Sequence, residues 1–373
     1  MGQIKRIAIS GAGGFLGWHT ACRLRALSDV HVVSLGRQDF DNPSGMRAKL
    51  EAVDAVIHIA GVNRAASEAD MERGNIELAR VLAEQLKSLR SPAPVVFANS
   101  VQALQDNPYG RGKAAASGLL AEAAQLVGSP FADVLLPNLF GEHGQPYYNS
   151  FVATFAHAVQ RNEIPSVTAD RPIPLLHVQD AAARLIEAVG STGREEVRGE
   201  ARLISEVLRQ LREIHERYAK LGEIPSLQSR YDVNLFNTYR AAAFPTMWPV
   251  HPMVHRDGRG HLFETVRAHG GTGQTFVSST LPGQARGNHY HIHKVERFCV
   301  ISGEAEIRLR RLLHDDIVSF RVSGDSPCFI DMPTLWTHSI RNVGASELIT
   351  MFWADQLLNP EDPDQYPEEV DAT

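Results

Sequence analysis

The chain has 373 residues, more than the ~250 to 300 beyond which a single hydrophobic core usually stops growing, so two domains are expected. Its hydrophobic share of 43% and charged share of 21% are typical of globular proteins and argue against long disordered stretches. With 37 basic against 43 acidic residues, the chain lacks the excess of positive charge that binds nucleic acid or an anionic membrane surface. We therefore expect neither of these partners.

The cysteines and the N-terminus both point to a cytoplasmic protein. The three cysteines lie far apart and form no C-x-x-C pair, so neither a disulfide framework nor a cysteine zinc site is expected. The sequence begins with a strand-like apolar run rather than a signal peptide, and it contains no stretch of about 20 predominantly apolar residues.

The first half of the chain alternates short apolar runs with segments of helical period, which is typical of a Rossmann-like, doubly wound parallel sheet. The strands are predicted at 4–10, 30–35, 55–59, 95–99 and 132–136, and the helices at 14–26, 75–89 and 109–127. A charged, then aromatic, segment at 195–245 is interpreted as the end of this domain and a packed linker. We predict domains at 1–245 and 246–373.

After residue 250 the sequence pattern changes to short predicted strands separated by Gly, Pro, Asn and Asp, which indicates an all-β domain. Strands are predicted at 275–279, 298–301, 304–310 and 348–353. No internal repeat of about 20 to 50 residues is visible, which excludes solenoids and propellers.

A glycine-rich turn follows the first predicted strand and opens a helix. Gly11, Gly14 and Gly17, with Phe15 and Leu16 between them, stand where main-chain N–H groups can approach a pyrophosphate. The pattern alone also fits an ordinary turn, but the strand before it and the helix after it favour dinucleotide binding.

The end of the second predicted strand bears on the choice between NAD and NADP. Arg37 stands where a cation can bind the 2′-phosphate of NADP, although it can equally be a solvated loop arginine. The nearby Asp39 leaves the preference open, because an acidic side chain at this place favours NAD. We expect NADPH as the cofactor.

Tyr109 and Lys113 are four residues apart and therefore lie on one face of a helix. A cation beside the phenol favours phenolate, so we expect a lowered pKa for Tyr109 and a role in proton transfer near neutral pH. Ser100, at the end of a predicted strand, completes a possible catalytic set. Taken separately, Tyr-x-x-x-Lys occurs often by chance, and a strand-end serine is commonplace.

These features together resemble the extended short-chain dehydrogenase/reductase family, which also shows Ala60-Gly61 after a strand and a Pro-Asn-Leu-Phe-Gly run such as 137–141. The resemblance implies that Tyr109 protonates a carbonyl oxygen as hydride arrives and that Lys113 also binds the nicotinamide ribose. It further implies that Ser100 hydrogen-bonds the carbonyl oxygen, although its interval to Tyr109 is shorter than the family usually shows.

Extended members of this family hold a nucleotide-sugar with the loop that corresponds to 138–149. Asn138, Tyr148 and Asn149 suit uracil stacking and hydrogen bonds to a diphosphate, and they suit a polar turn before a helix equally well.

A histidine cluster in the C-terminal part resembles the two cupin motifs. The first, G-x5-H-x-H-x4-E-x6-G, is met in full by Gly283, His289, His291, Glu296 and Gly303. The second, P-x-G-x2-H-x3-N, ends in His338 and Asn342 but has leucine at 335 instead of glycine. His289, His291, Glu296 and His338 are predicted to bind a divalent metal. Zinc suits these ligands best, and nickel, iron and manganese stay possible.

The fusion of the two domains resembles the CapF/WbjC-type capsular-polysaccharide enzymes over nearly the whole chain. That resemblance implies a homodimer formed through a jelly-roll cupin and a bifunctional role on the route to UDP-N-acetyl-L-fucosamine. The cupin would epimerise C3 of UDP-2-acetamido-2,6-dideoxy-β-L-arabino-hexos-4-ulose, and the reductase would reduce C4 with NADPH to the UDP-2-acetamido-2,6-dideoxy-β-L-talose product. Two alternatives stay open: a nucleotide-sugar 4-ketoreductase with a structural cupin, and a non-catalytic NADP-sensing regulator.

Overall fold

The computed structural model describes residues 6–27, 29–258 and 260–371. The helices in these residues are α1 Phe15–Arg25, α2 Arg37–Asp41, α3 Pro43–Leu50, α4 Glu68–Lys87, α5 Pro108–Leu126, α6 Phe151–Gln160, α7 Val178–Glu187, α8 Ile204–Ile214 and α9 Arg230–Ala243. The strands are β1 Arg6–Ser10, β2 His31–Leu35, β3 Ala55–His58, β4 Val95–Ser100, β5 Phe131–Leu136, β6 Asn138–Phe140, β7 Pro172–His177, β8 Gly193–Glu196, β9 Glu200–Leu203, β10 Val254–Asp257, β11 Gly260–Phe263, β12 Gln274–Thr280, β13 Ala285–Tyr290, β14 Glu296–Ser302, β15 Glu304–Arg311, β16 Ile317–Ser323, β17 Phe329–Met332, β18 Trp336–Asn342, β19 Leu348–Ala354 and β20 Tyr366–Pro367.

The chain forms two compact units. The first comprises residues up to 140 and 171–202, and the second comprises residues 141–170 and those from 203 onward. The boundary predicted from the sequence, between residues 245 and 246, separates domains that are expected to fold independently. It stays a prediction.

The first unit is built on a parallel sheet with the strand order β2-β1-β3-β4-β5-β8 in the described residues. Central strands such as β3 are buried along their whole length, which explains their continuous apolar runs. The Rossmann-like fold predicted from the alternating pattern is confirmed. The edge strand β8 was not predicted, because Gly193–Glu196 is polar and mostly exposed and carries no apolar alternation.

Helix α4 begins earlier than its apolar period suggests. The predicted start was residue 75, but the helix begins at Glu68 because the Ser67 hydroxyl accepts a hydrogen bond from the Asp70 amide at 3.1 Å. A serine that caps the first turn satisfies an otherwise unpaired N–H group. The polar first turns of α4 therefore form without an apolar stripe.

Among the described residues, the second unit contains two large antiparallel sheets and a two-stranded one, β10-β11. The large sheets have the strand orders β12-β19-β14-β17 and β16-β15-β18-β13-β20. The predicted C-terminal strands lie within β12, β14, β15 and β19. Two antiparallel sheets agree with the predicted cupin-like domain.

The helical segment after residue 203 also lies in the second unit, with α8 continued by a π-helical turn, His215–Ala219. The Tyr218 hydroxyl in this turn donates to Asp331 Oδ2 at 2.6 Å, and Arg297 Nε donates to Asp331 Oδ1 at 2.7 Å. All three side chains are buried. Because a buried charge is tolerated only when it is paired and hydrogen-bonded, this network ties the helical segment to strands β14 and β17.

Among the helices of the described residues, none has both the length and the apolar composition needed to cross a bilayer.

Candidate active site and candidate metal centre

The glycine turn between β1 and α1 is shaped for close backbone approach. Gly11 has a φ of +73°, and a Cβ atom there would lie 2.9 Å from the Ala60 Cα. A Cβ at Gly17 would lie 2.0 Å from the Gly11 carbonyl oxygen. The turn therefore requires glycine at both positions, whereas Gly13 faces open space. No side chain caps α1 at Gly14, so this N-terminus fits the phosphates of a dinucleotide.

The segment that carries Ala60 is held by Ser10. The Ser10 hydroxyl oxygen accepts hydrogen bonds from the amides of Ile59 at 3.0 Å and Ala60 at 3.1 Å. It lies 2.7 Å from His58 Nδ1, to which it donates its own proton because its acceptor positions are taken. Burial and the nearby Lys113 lower the pKa of His58 to about 3, so this histidine is a neutral acceptor. The sequence interpretation missed this buried pair.

Arg37 lies at the first position of α2, directly after β2, and is exposed. The adjacent Asp39 carboxylate accepts from the Gly36 amide at 2.8 Å and pairs with Lys49 Nζ at 2.6 Å. Lys49 also donates to the Ser34 carbonyl oxygen at 3.2 Å. The charge of Asp39, which left the choice between NAD and NADP open, is therefore neutralised by Lys49 of α3. The sequence analysis did not single out this lysine.

Tyr109 and Lys113 stand on one face of α5, as predicted. The helix starts after Asn107, whose side chain accepts from the Gly110 amide at 2.8 Å. A Cβ on Gly110 would lie 2.2 Å from the Gln102 carbonyl oxygen, so only glycine lets the first turn of α5 pack against the residues that follow Ser100. This close packing brings the Tyr109 backbone toward the carboxyl end of β4.

Burial dominates the pKa values of this pair. It raises the pKa of Tyr109 to about 12, so the expected lowering of this pKa is wrong for the structure. The Lys113 ammonium donates to the Ala98 carbonyl oxygen at 2.7 Å and lies 4.1 Å from the centre of the Phe97 ring. Burial lowers the pKa of Lys113 to about 7, an effect that the charge of Asp133 partly opposes. Tyr109 is therefore a protonated phenol, suited to donate.

Asp133 is a buried carboxylate at the base of this site, and the sequence interpretation missed it. It accepts hydrogen bonds from Asn99 at 2.7 Å, Ser117 at 2.8 Å and Arg194 at 2.8 Å. Ser117 follows Lys113 by one helical turn on α5. The network therefore places a negative charge under the face of α5 that carries Lys113.

Ser100 ends β4, where its hydroxyl oxygen accepts from the Gln102 amide at 3.2 Å. This bond caps the 3₁₀ turn Val101–Leu104. The catalytic role of Ser100 stays a prediction.

The remaining site residues predicted within 1–245 lie on different elements of the structure. Asn138 begins β6 in the first unit and is exposed, while Gly61 lies beside Asn75, whose side-chain oxygen accepts from the Val62 amide. Tyr148 and Asn149 precede α6 in the second unit. Their substrate-binding roles stay predictions.

The four predicted metal ligands come together in the second unit. One ligand atom from each of His289, His291, Glu296 and His338 lies within 4.8 Å of the others. His291 Nε2 and His338 Nε2 lie 2.9 and 3.6 Å from Glu296 Oε2. Both nitrogens are buried, and neither forms a well-aligned hydrogen bond with any group that the structure describes. Ligands about 2.1 Å from a shared ion are at most about 4.2 Å apart, so a small contraction fits this set to zinc.

The electrostatics of this cluster also suit a cation. Burial, with the charges of His338 and His291, lowers the pKa of His289 to about 3, so its ring is neutral and has a free lone pair near pH 7. Burial by itself would raise the pKa of Glu296, but the neighbouring imidazoles of His291 and His338 hold it well below its usual value. Burial also lowers the pKa of His338, whereas at His291 the effect of burial is outweighed by Glu296, which raises the pKa. A metal would therefore meet neutral rings at His289 and His338 and would displace a proton from His291.

Leu335 occupies the position where the second cupin motif has glycine, and its backbone has a φ of +62°. Such a conformation is unfavourable for a leucine. The side chain is fully buried, and the Leu335 amide donates to the His291 carbonyl oxygen at 2.8 Å. Burial of the leucine side chain offsets the backbone cost, and the turn that precedes His338 keeps its left-handed residue.

The N-terminal geometry has a counterpart among known families. The model of the NAD dependent epimerase/dehydratase family matches residues 7–201, more than half of the chain. The chain belongs to this family. In this epimerase/dehydratase chain, the matched residues include the glycine turn, Tyr109 and Lys113, which agrees with a nicotinamide cofactor. A second model, the polysaccharide biosynthesis C-terminal domain, matches residues 255–366 and includes all four clustered ligands.

Relatives of this epimerase/dehydratase chain extend the match to nearly its full length. It is 29% identical to the UDP-2-acetamido-2,6-beta-L-arabino-hexul-4-ose reductase of Pseudomonas aeruginosa, over 97% of this chain and 98% of the relative. It is 30% identical to the capsular polysaccharide assembling protein CapF of Staphylococcus aureus, covering 98% and 100% of the two chains with a TM-score of 0.62. The resemblance to CapF-type enzymes is confirmed. UDP-glucose 4-epimerase of Thermotoga maritima, at 18% identity over 57% of this chain and 82% of its own, shares the fold (TM-score 0.51).

Proposed function

We propose that the chain is a bifunctional nucleotide-sugar enzyme of the UDP-N-acetyl-L-fucosamine route. Its substrate would be UDP-2-acetamido-2,6-dideoxy-β-L-arabino-hexos-4-ulose, epimerised at C3 by the second unit and reduced at C4 by the first. The observation that carries this proposal is that one chain holds both a Tyr109–Lys113 pair and a largely buried cluster of three histidines and a glutamate. The end-to-end similarity to a reductase of this 4-keto sugar supports the substrate.

The reduction needs one hydride and one proton. The nicotinamide cofactor, held at Gly11, Gly14 and Gly17, would supply the hydride to C4 of the sugar. Tyr109 donates its phenolic proton to the carbonyl oxygen, so the ketone becomes an alcohol. Because the pKa of Tyr109 is raised to about 12, the phenol carries that proton throughout the neutral range. Lys113 places a positive charge on the same helix face, which stabilises the phenolate left after transfer.

The epimerisation rests on the acidity that the C4 ketone gives to the C3 hydrogen. A base removes that proton, and an acid returns one to the opposite face of C3, so the sugar neither gains nor loses electrons. A metal held by His289, His291, Glu296 and His338 would supply a Lewis acid for the developing negative charge. Reduction at C4 then removes the ketone and prevents the reverse epimerisation.

The deciding experiment is NMR-monitored incubation with the 4-keto sugar in heavy water, with and without NADPH. The proposal predicts deuterium at C3 without NADPH and the reduced sugar when NADPH is present. Reduction without any C3 exchange would instead support a ketoreductase with a structural cupin. Binding of NADP with neither reaction would support the regulator.

The cofactor preference should favour NADPH, since Lys49 neutralises Asp39 and leaves Arg37 to meet a 2′-phosphate. A charge-assisted hydrogen bond is worth about 1.5 to 3 kcal/mol, so Arg37→Ala should lower kcat/KM for NADPH about 10- to 100-fold. We expect kcat/KM for NADH to change little. Lys49→Ala should also weaken NADPH use by exposing the Asp39 carboxylate, whereas Lys87→Ala, a surface lysine of α4, serves as the control. Equal kcat/KM for both cofactors in the wild type would contradict the prediction.

The Asp133 carboxylate should extend reduction to higher pH. If the Lys113 ammonium is required, kcat/KM is retained below the pKa of Lys113, about 7, and declines above it. Asp133→Asn removes the negative charge that raises the pKa of Lys113 against the effect of burial. The alkaline limb of the pH profile, where kcat/KM declines, should therefore move to lower pH. Ser117→Ala removes a hydrogen bond to the same carboxylate but keeps its charge, and its limb should move less. An unchanged limb in a folded Asp133→Asn enzyme would show that Asp133 does not act through Lys113.

A further inference from the structure

The metal ligand His291 is held by a residue far along the chain. His291 begins the connection at 291–295 that joins β13 to β14, and its Nδ1 lies 2.5 Å from the Asp364 carbonyl oxygen. A carbonyl oxygen can only accept, so Nδ1 carries the proton. His291 Nε2, 2.9 Å from Glu296 Oε2, is then the nitrogen that is left to bind a metal. The Asp364 carbonyl therefore selects the imidazole tautomer that can bind a metal.

The Asp364 carboxylate holds the backbone of the same connection. It accepts hydrogen bonds from three consecutive amides, those of Ile292 at 3.0 Å, His293 at 2.8 Å and Lys294 at 2.7 Å. Lys294 Nζ also donates to the Pro363 carbonyl oxygen at 2.5 Å. One residue thus fixes both where the His291 backbone lies and which way its ring points.

The conformation of Asp364 shows that its position is determined by these bonds. It is 8% exposed and has a φ of +44°, a left-handed conformation that costs free energy for any residue except glycine and is best tolerated by Asn and Asp. By contrast, His338 Nδ1 lies 3.2 Å from the carbonyl oxygen of Trp336 on its own strand. Of these two ligands, His291 alone depends on the C-terminal segment.

We propose that Asp364 is a positioning residue that couples docking of the C-terminal segment 363–367 to metal affinity at His291. The inference rests on the proposed metal site. Groups that orient a metal ligand typically contribute about 10- to 100-fold to affinity. Coupling is reciprocal, so metal binding must also stabilise the docked segment.

The first test measures the zinc dissociation constant of the full chain by competition with a chelator. Asp364→Asn and Asp364→Gly both keep the backbone carbonyl and tolerate the left-handed conformation, but they lose the carboxylate. Each should bind zinc about 10- to 100-fold more weakly than the wild type. Asp371→Asn is the matched control, because this exposed aspartate of the same C-terminal stretch pairs with Arg308 and should leave the constant unchanged.

Wild-type affinity in both folded Asp364 variants, checked by circular dichroism, would overturn the inference. A wild-type chain that binds no zinc would instead overturn the proposed metal site, and the inference with it. A second measurement needs no variant: zinc should slow hydrogen exchange of the amides at 292–294 in the wild type. Equal exchange with and without bound zinc would overturn the coupling even if the variants fail to fold.

Discussion

Tyr109→Phe should lower the rate of NADPH oxidation by about 100- to 10,000-fold, the usual contribution of a positioned general acid. The substitution removes the phenolic proton and keeps the ring, so packing at the start of α5 should survive. If the second unit removes the C3 proton independently, the variant should still incorporate deuterium at C3 of the 4-keto sugar. NADPH absorbance and NMR of the same reaction measure the two steps separately.

Loss of both reactions in a folded Tyr109→Phe enzyme that still binds substrate would mean that one site performs both steps. The proposal would then reduce to a ketoreductase with a structural cupin. Tyr231→Phe is a suitable control, because the Tyr231 hydroxyl donates to Gln210 Oε1 at 3.2 Å and helix α9, which carries it, holds none of the proposed site residues. We expect it to reduce the sugar at the wild-type rate.

His338→Ala should abolish C3 exchange and release the metal, with the same result expected for His289→Ala. His338 is fully buried, and its Nε2 lies 3.6 Å from Glu296 Oε2, so alanine removes one of four ligands and leaves a buried carboxylate less compensated. The loss in zinc affinity should exceed the about 10- to 100-fold that follows removal of a group that only orients a ligand. Metal analysis of protein purified without chelators and the C3 exchange rate are the measurements.

His314→Ala provides the control for this prediction, since His314 is an exposed histidine of the same unit, in the turn between β15 and β16. It should keep one divalent ion per chain and the wild-type exchange rate. Exchange that persists in His338→Ala after complete metal removal would show that the cluster takes no part in epimerisation.

The sequence by itself determined the features that depend on local spacing. The glycine turn at 11–17, the Tyr109–Lys113 pair and the metal-ligand pattern from His289 to Glu296 were predicted because each lies within one turn, one helix face or one short strand and turn. The two fold classes followed for the same reason, since apolar alternation and helical period are local properties. Polar elements such as β8 and the first turns of α4 were not predicted, because they contain few apolar residues at a regular spacing.

Only the tertiary structure decided what surrounds those residues. Burial, which raises the pKa of Tyr109 and lowers that of Lys113, comes from the packing of α5 on the sheet and reverses the tyrosine shift expected from spacing. Asp133 and Lys49 act on residues of other elements, and Asp364 reaches His291 across 73 positions of the chain. Such partners leave no periodic signal, because a hydrogen bond between distant residues depends on how the strands are arranged and not on their separation in sequence.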